Sequence, residues 1–200
     1  MRGIIVMAMF AVSLSYAGSG QYTEVRNFDL DASGLSEVFI DAGAGAMVVS
    51  GVDGSDEVVV VATIIVDSDD PEEALKFIEK RLRLDLTRDG DRAVLKAGFS
   101  PGWGWDADAA VDLDVRMPAQ LALVIDDGSG SLTIVAAAGD VYVEDGSGPI
   151  DIRQVRGSVT VDDGSGDIEI DDVEHDLVIE EEGSGSLHYA NVRGSVQQRD

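Results

Sequence analysis

The sequence predicts an all-β protein: a parallel β-solenoid of about 18 residues per coil, two short strands in each coil, with one short helix inserted in the N-terminal half. Three observations predict it. Four near-identical acidic turns recur, Asp127-Gly128-Ser129-Gly130, Asp145-Gly146-Ser147-Gly148, Asp163-Gly164-Ser165-Gly166 and Glu182-Gly183-Ser184-Gly185, with their first glycines 18, 18 and 19 residues apart. Apolar residues align at the same period: Leu132, Ile150, Ile168 and Leu187 in one column, Ile134, Ile152, Ile170 and Tyr189 in the next, and Val141, Val159, Leu177 and Val196 further on. Within each repeat the apolar residues stand two apart, which is the period of a strand and not of a helix.

Taken in order, the elements begin with Met1-Arg2, an apolar run from Gly3 to Leu14, and Ser15-Tyr16-Ala17. A positive start, a short apolar run and a small-x-small site have the form of a signal peptide over 1–17. The run is shorter than the roughly 20 residues a membrane span needs. The remainder, 18–200, reads as one domain, with an irregular β part over 18–108 and regular repeats over 109–200. Val38, Ile40, Met47 and Val49 alternate around Ala42-Gly43-Ala44-Gly45, and Val58 to Val66 reads as a strand buried on both faces. Asp70 as N-cap, Pro71 at the first helical position and Glu72-Glu73 in the first turn predict a helix from about Pro71 to Arg81, with Leu75, Ile78 and Leu82 on its apolar face. Leu82, Leu84 and Leu86 alternate toward the turn Asp89-Gly90-Asp91, and a partner strand follows from Arg92 to Ala97. A glycine-rich loop holds Trp103 and Trp105, expected to plug one end or cover the helix. Val111, Leu113, Val115 and Met117 form a further strand that ends at Pro118.

One two-stranded repeat cannot bury its own apolar face, but repeats stacked about 4.8 Å apart can. The competing arrangement joins antiparallel hairpins at the acidic turns. Hairpin turns would alternate in type, whereas these recur identically once per repeat. Gly139, Gly157 and Gly194 mark a second bend, where His175 takes the glycine's place as a residue tolerant of positive φ. His188 falls on the outward face, in line with Thr133, Asp151 and Glu169.

Composition narrows the function. With 14 Lys+Arg against 39 Asp+Glu, the net charge is -25 and the pI near 4.1, which opposes nucleic-acid binding. The absence of cysteine excludes disulfides, thiolate metal sites and a cysteine nucleophile, and two histidines do not make a multi-histidine centre. An apolar content of 44% supplies a core and argues against a disordered acidic tail.

The acidic turns are the strongest constellation. Asp126, Asp127, Glu144, Asp145, Asp162, Asp163, Glu181 and Glu182 should stack along one edge. Like charges at that spacing repel by about 0.9 kcal/mol in water and about 3.5 kcal/mol at an effective dielectric of 20. Hydrated counter-ions offset this if the side chains splay outward; a bound Ca²⁺ does so if they converge. The turns lack both the Gly-Gly-x-Gly-x-Asp repeat of calcium β-rolls and the EF-hand order. A phosphate cradle would need a following helix and a lysine, and neither is present. The serines Ser129, Ser147, Ser165 and Ser184 fit turn capping. No catalytic residue and no cofactor is assigned, Ca²⁺ being the alternative. An outward carboxylate pair, Asp151 and Glu169, resembles a glycosidase dyad, but stacking alone generates such a pair. Arg153, Arg156 and Arg193 are too sparse for a groove that cleaves acidic polysaccharide.

Three segments together resemble a known family. They are the run Pro71-Glu72-Glu73-Ala74-Leu75 through Leu84-Asp85-Leu86 to Asp89-Gly90-Asp91, the run from Val111 to Pro118 followed by Leu121-Ala122-Leu123, and the Gly-x-[Leu/Ile]-x-Ile segments at 130–134, 148–152 and 166–170, with a looser copy at 185–189. From about Tyr22 to Val196 the chain is similar to the putative-adhesin β-solenoid family of bacterial exported and envelope proteins. The resemblance implies a single-chain parallel solenoid with no established catalytic activity. The chain departs from the family in its acidity and in the regularity of its acidic turns. The expected function is a non-enzymatic, adhesin-like interaction module, exported to the periplasm or beyond the cell, whose partner is an envelope protein or a glycan. A calcium-binding structural solenoid and a polysaccharide-cleaving enzyme are the alternatives. A monomer is expected, with self-association left open; Gln198, in an otherwise apolar column, reads as a modest cap against end-to-end stacking.

Overall fold

The computed structural model describes residues 20–100 and 108–199, and the backbone of 10–17. Seventeen strands and one helix follow one another. The first half holds β1 (Phe10–Ala17), β2 (Gln21–Asp31), β3 (Glu37–Ala44), β4 (Met47–Val52), β5 (Glu57–Asp67), α1 (Pro71–Arg81), β6 (Leu82–Asp89), β7 (Arg92–Phe99) and β8 (Ala109–Pro118). The second half holds β9 (Ala122–Ser129), β10 (Leu132–Val135), β11 (Val141–Asp145), β12 (Ile150–Val155), β13 (Val159–Asp163), β14 (Ile168–Val173), β15 (Leu177–Glu181), β16 (Leu187–Val192) and β17 (Val196–Gln198).

The expected fold class is corrected. The protein is not a parallel solenoid but two open, mixed sheets packed face to face. The first has nine strands in the order β1-β2-β5-β8-β4-β10-β12-β14-β16, the second eight in the order β17-β15-β13-β11-β9-β3-β7-β6. The pairs β1–β2, β2–β5, β5–β8 and β6–β7 are antiparallel. The physical reason lies in element length. β2 and β5 run eleven residues each, too long for a coil that must fit two strands and two bends into 18. β6 and β7 are joined by the two-residue turn Gly90-Asp91, which can only return the chain antiparallel.

In the second half the strands alternate between the sheets and every pairing is parallel. Leu132 faces Ile150, Ile150 faces Ile168, and Ile168 faces Leu187. Val141, Val159, Leu177 and Val196 pair likewise in the other sheet. The columns are those read from the sequence, and the repeats are not antiparallel hairpins. Together the inward residues of both sheets form one core, in which Ile134, Ile152 and Ile170 are 1% exposed or less. Burying each such side chain is worth roughly 1.5–3 kcal/mol.

The helix forms where expected. Asp70 accepts from the Glu72 N–H, Pro71 opens the helix, Glu72 and Glu73 lie in its first turn and Lys80 and Arg81 in its last. Its buried face is Ala74 and Ile78, not Leu75, which is 41% exposed. It packs with Tyr22, Ile64 and Val66 into a small second core, beside which the Phe77 and Phe99 rings lie 5.3 Å apart. β5 buries Val58, Val60, Ala62, Ile64 and Val66 completely; its other face is only half-covered, where burial on both was expected. The left-handed bend residues are Ala136, Gln154, Asp172 and Asn191, with φ between 54° and 59°. They precede the expected bend by three positions. Gly157 is required instead by close approach, since a Cβ there would lie 2.3 Å from the Gly139 carbonyl oxygen. His175 and His188 are exposed. Trp103 and Trp105 lie outside the described residues.

Candidate functional site

Adjacent residues of a strand point to opposite faces, so each acidic pair is split by the sheet that carries it. Asp127, Asp145 and Asp163 point inward and are 3%, 3% and 0% exposed. Asp126, Glu144 and Asp162 point outward, in register along β9, β11 and β13. In β15 a bulge absorbs the extra residue of the third repeat and sets Glu181 opposite Asp162. The bridge between Ser165 and Ser184 carries this shifted register past the turn. Half-buried Glu182 accepts from Gln198 Nε2 at 2.8 Å. The eight acids expected to form one edge therefore lie in two rows on opposite faces of one sheet, and they do not meet at one point. Among the described residues, no group of three or more His, Asp or Glu side chains is placed to hold a metal ion.

The inward row is a buried column of carboxyls. It starts beside Ala42 of β3, which pairs with Asp127, and continues through Asp145 to Asp163. In each turn the first carboxylate oxygen caps local backbone: Asp145 Oδ1 accepts from the Ser147 N–H at 3.2 Å, and Asp163 Oδ1 from the Ser165 N–H at 3.1 Å. Asp127 is bonded in the same way by the N–H groups of Gly128 and Ser129. The second oxygen of each, Oδ2, is buried with no hydrogen-bond partner. Burial pushes the Asp127 carboxyl up to about 6, against the pull of the Gly128 and Ser129 N–H groups. Burial, with Asp127 and Asp163 on either side, pushes Asp145 up to about 7. Burial also raises Asp163. The capping role follows the expectation that these turns are held by side-chain hydrogen bonds.

The outward row is electrostatically different. Asp126, Glu144, Asp162 and Glu181 face solvent, and none forms an ion pair with the basic residues nearby. Beside this row runs a partly exposed apolar one: Val94, Phe39, Val124, Tyr142, Thr160 and Val178, one residue from each of six successive strands. Arg92 lies 5.4 Å from the centre of the Phe39 ring and pairs with Glu37 at 2.6 Å. The Tyr142 phenol is held above its ordinary value, first by burial and then by Glu144, Glu180 and Asp162 around it. Sequence reasoning passed over this row. Its signal was present in Val124, Tyr142, Thr160 and Val178, each lying between two inward residues of its repeat.

The carboxylates considered as a dyad are occupied. Arg153 Nε donates to Asp151 Oδ1 at 2.6 Å, and its other end lies 3.7 Å from Glu169. Arg156 pairs with Asp53, and Arg193 with Glu174 at 2.9 Å. These three arginines thus each answer a carboxylate, and Arg156 lines a shallow depression with Asp53, Asp172 and Glu174.

No family model matches the chain, and no curated protein matches it. Among solved structures, it is similar to a protein named a putative cell adhesion protein from Clostridium sporogenes, at 8% identity over 88% of this chain and 100% of the other, with a TM-score of 0.33. It is similar also to a putative adhesin from Bacteroides fragilis, at 11% identity over 87% of this chain and 96% of the other, TM-score 0.27. A third, named a putative lipid binding protein, from Parabacteroides distasonis, shares 9% identity over 88% and 97%, TM-score 0.24. Likenesses this distant carry no argument about function. Among the described residues no helix is long and apolar enough to cross a membrane.

Proposed function

We propose that the protein is an exported, non-enzymatic interaction module of the adhesin kind, and that its contact surface is the outer face of the eight-stranded sheet. The observation that carries this reading is the pair of adjacent rows on β9, β11, β13 and β15: a partly exposed apolar row with Tyr142 near its middle, and a row of unpaired carboxylates beside it. Apolar contact supplies affinity, and unpaired charge selects an envelope partner that presents cationic groups. Rigidity supports the role, because the face is the back of one continuous core and needs little ordering on contact. Export rests on the form of residues 1–17; in the uncleaved chain Phe10–Ala17 pair with β2, and their removal would leave β2 as the edge strand of its sheet. The test has two parts. Protein recovered from the cell envelope or medium should begin just after Ala17. Tyr142→Ala and Glu144→Lys should each lower retention of the protein on envelope fragments at least about fivefold, given what one interface residue can contribute. Retention unchanged in both variants would remove this face as the contact surface.

A further inference from the structure

The last coil differs from those before it in charge. Residues 164–182 hold nine acids; residues 183–199 hold none before Asp200, in a chain with 39. The replacements are position for position. Glu169 pairs with His188 and Asp171 with Ala190, while Asp172 and Asn191 share the left-handed bend. Several of the new side chains donate back to the acidic coil. Ser186 binds Asp167, Asn191 binds Asp171, Ser195 binds Asp176, and Arg193 and Arg199 pair with Glu174 and Glu180. With its donors turned inward along the stack, this end presents no acid of its own to solvent over 183–199. It presents apolar columns instead. Tyr189 is 48% and Val196 38% exposed, where Ile170 and Leu177 one coil earlier are 1% and 0%. Among the described residues, β16 and β17 are the last strands of their sheets, each paired on one side only.

We infer that this end is a self-association surface, and that its occupant is a second copy of the chain docked end to end through the same coil. Two features commit the choice. The surface has two strand edges at once, one from each sheet, about 10 Å apart. An extended peptide fills one edge only, whereas another sandwich end of the same kind fills both. A two-fold axis perpendicular to the stack brings identical ends together and satisfies both edges by symmetry. Charge is the second feature. Two molecules of net charge -25 repel on approach, and the least repulsive contact brings together the stretches that carry no acid. The opposite end, by contrast, is built from antiparallel strands with α1 beside them. Gln198, read from the sequence as a cap against stacking, is engaged with Glu182 of its own chain and leaves Val196 and Tyr189 open. One end of the stack, two short strand edges, offers less than a standard interface, and a weak dimer is expected, with a Kd between about 10 µM and 1 mM. The inference is independent of the contact face proposed above.

Sedimentation of the purified protein across that concentration range, at moderate salt, should show a monomer–dimer equilibrium. Tyr189→Glu with Val196→Glu should abolish it while leaving the melting temperature within a few degrees. Because new acids could fray the coil, a second measurement leaves the coil's own contacts in place. The chain has no cysteine, so Gln197→Cys gives a single thiol at this end and Leu75→Cys one on the helix. Under mild oxidation Gln197→Cys should form disulfide dimers at least about tenfold faster than Leu75→Cys, through its higher effective concentration in the dimer. A protein that stays monomeric throughout, a dimer that survives the double substitution, or equal cross-linking rates for the two cysteines would each overturn the inference.

Discussion

The two halves of this protein share a core but solve the problem of chain reversal differently. In the first half the chain turns back through an open hairpin. Gly90, at φ +64°, has nothing within 4 Å of where a Cβ would stand. In the second half the strands alternate between the two sheets, and the turn of each repeat packs against that of its neighbour. Gly148, at φ +138°, would place a Cβ 1.7 Å from the Gly130 carbonyl oxygen, and Gly130 in turn stands over Gly45. At Gly90 the residue thus meets a conformational need alone, and at Gly148 both a conformational and a steric need. Parallel stacking makes each turn the floor of the next. A residue tolerated once is then required in every coil, which is why the acidic turn recurs nearly unchanged.

The largest effect should come from testing that difference directly. Gly148→Ala combines a strained φ with overlap against backbone that cannot move, and should cost about 3–5 kcal/mol. Gly90→Ala bears only the positive φ and should cost about 1 kcal/mol. Thermal unfolding of the two variants measures the gap, expected at several degrees or more. Equal destabilisation would mean that the stacked turns relax around a methyl group and that the contrast between the halves is not steric.

A second contrast is internal to the stacked half, between the two rows of carboxylates. The buried row should make stability depend on pH. Asp145 has an ordinary value of 3.8 and is pushed up to about 7 in the fold. The folded state therefore keeps a proton that the unfolded chain has lost. Stability from this group is fully present below about pH 4 and is lost as pH rises toward 7. Asp127 acts in the same direction between 3.8 and about 6. Asp145→Asn keeps the shape, removes the charge and can still accept from Ser147. It should leave stability near pH 4 almost unchanged and raise it by about 1–3 kcal/mol at pH 8, where the aspartate must otherwise bury a negative charge. Denaturant unfolding of both proteins between pH 4 and 8 checks this. Parallel profiles would show that Asp145 is not the group that loses stability.

How much of this was legible beforehand depends on what sets each feature. The repeat columns were legible because period-2 alternation and an 18-residue spacing fix which residues pair, and Leu132, Ile150 and Ile168 do pair. The helix was legible through its cap, and Ile78 and Leu82 meet the core as expected; only Leu75 was misplaced, because the neighbouring Ala74, though less apolar, is the residue that geometry turns inward. The antiparallel pairings of the first half were hidden because alternation does not state direction; only the Asp89-Gly90-Asp91 turn did so, for one pair. The splitting of the acids was in principle legible. Ile125, Asp126 and Asp127 are consecutive, so one acid of each pair had to follow the core residues inward. Charge suggested that both would face water, and the need to cap a tight turn from inside prevailed instead.

The smallest effect belongs to the outer row, and it sharpens the contrast with the inner one. Glu144 stands between Asp126 and Asp162 in register, about 4.8 Å from each, in solvent. Repulsion there is screened, so Glu144→Gln should stabilise by only about 0.5 kcal/mol, and less at high salt. The substitution should leave the pH profile between 4 and 8 in place, because Asp127, Asp145 and Asp163 lie on the other side of the strand. The same variant also tests whether the row takes up calcium. If it is solvated by mobile ions, Ca²⁺ and chelator should give equal melting temperatures at matched ionic strength. A rise specific to Ca²⁺ that Glu144→Gln abolishes would make the outer row a cation site, and the two rows would then differ in ligand as well as in burial.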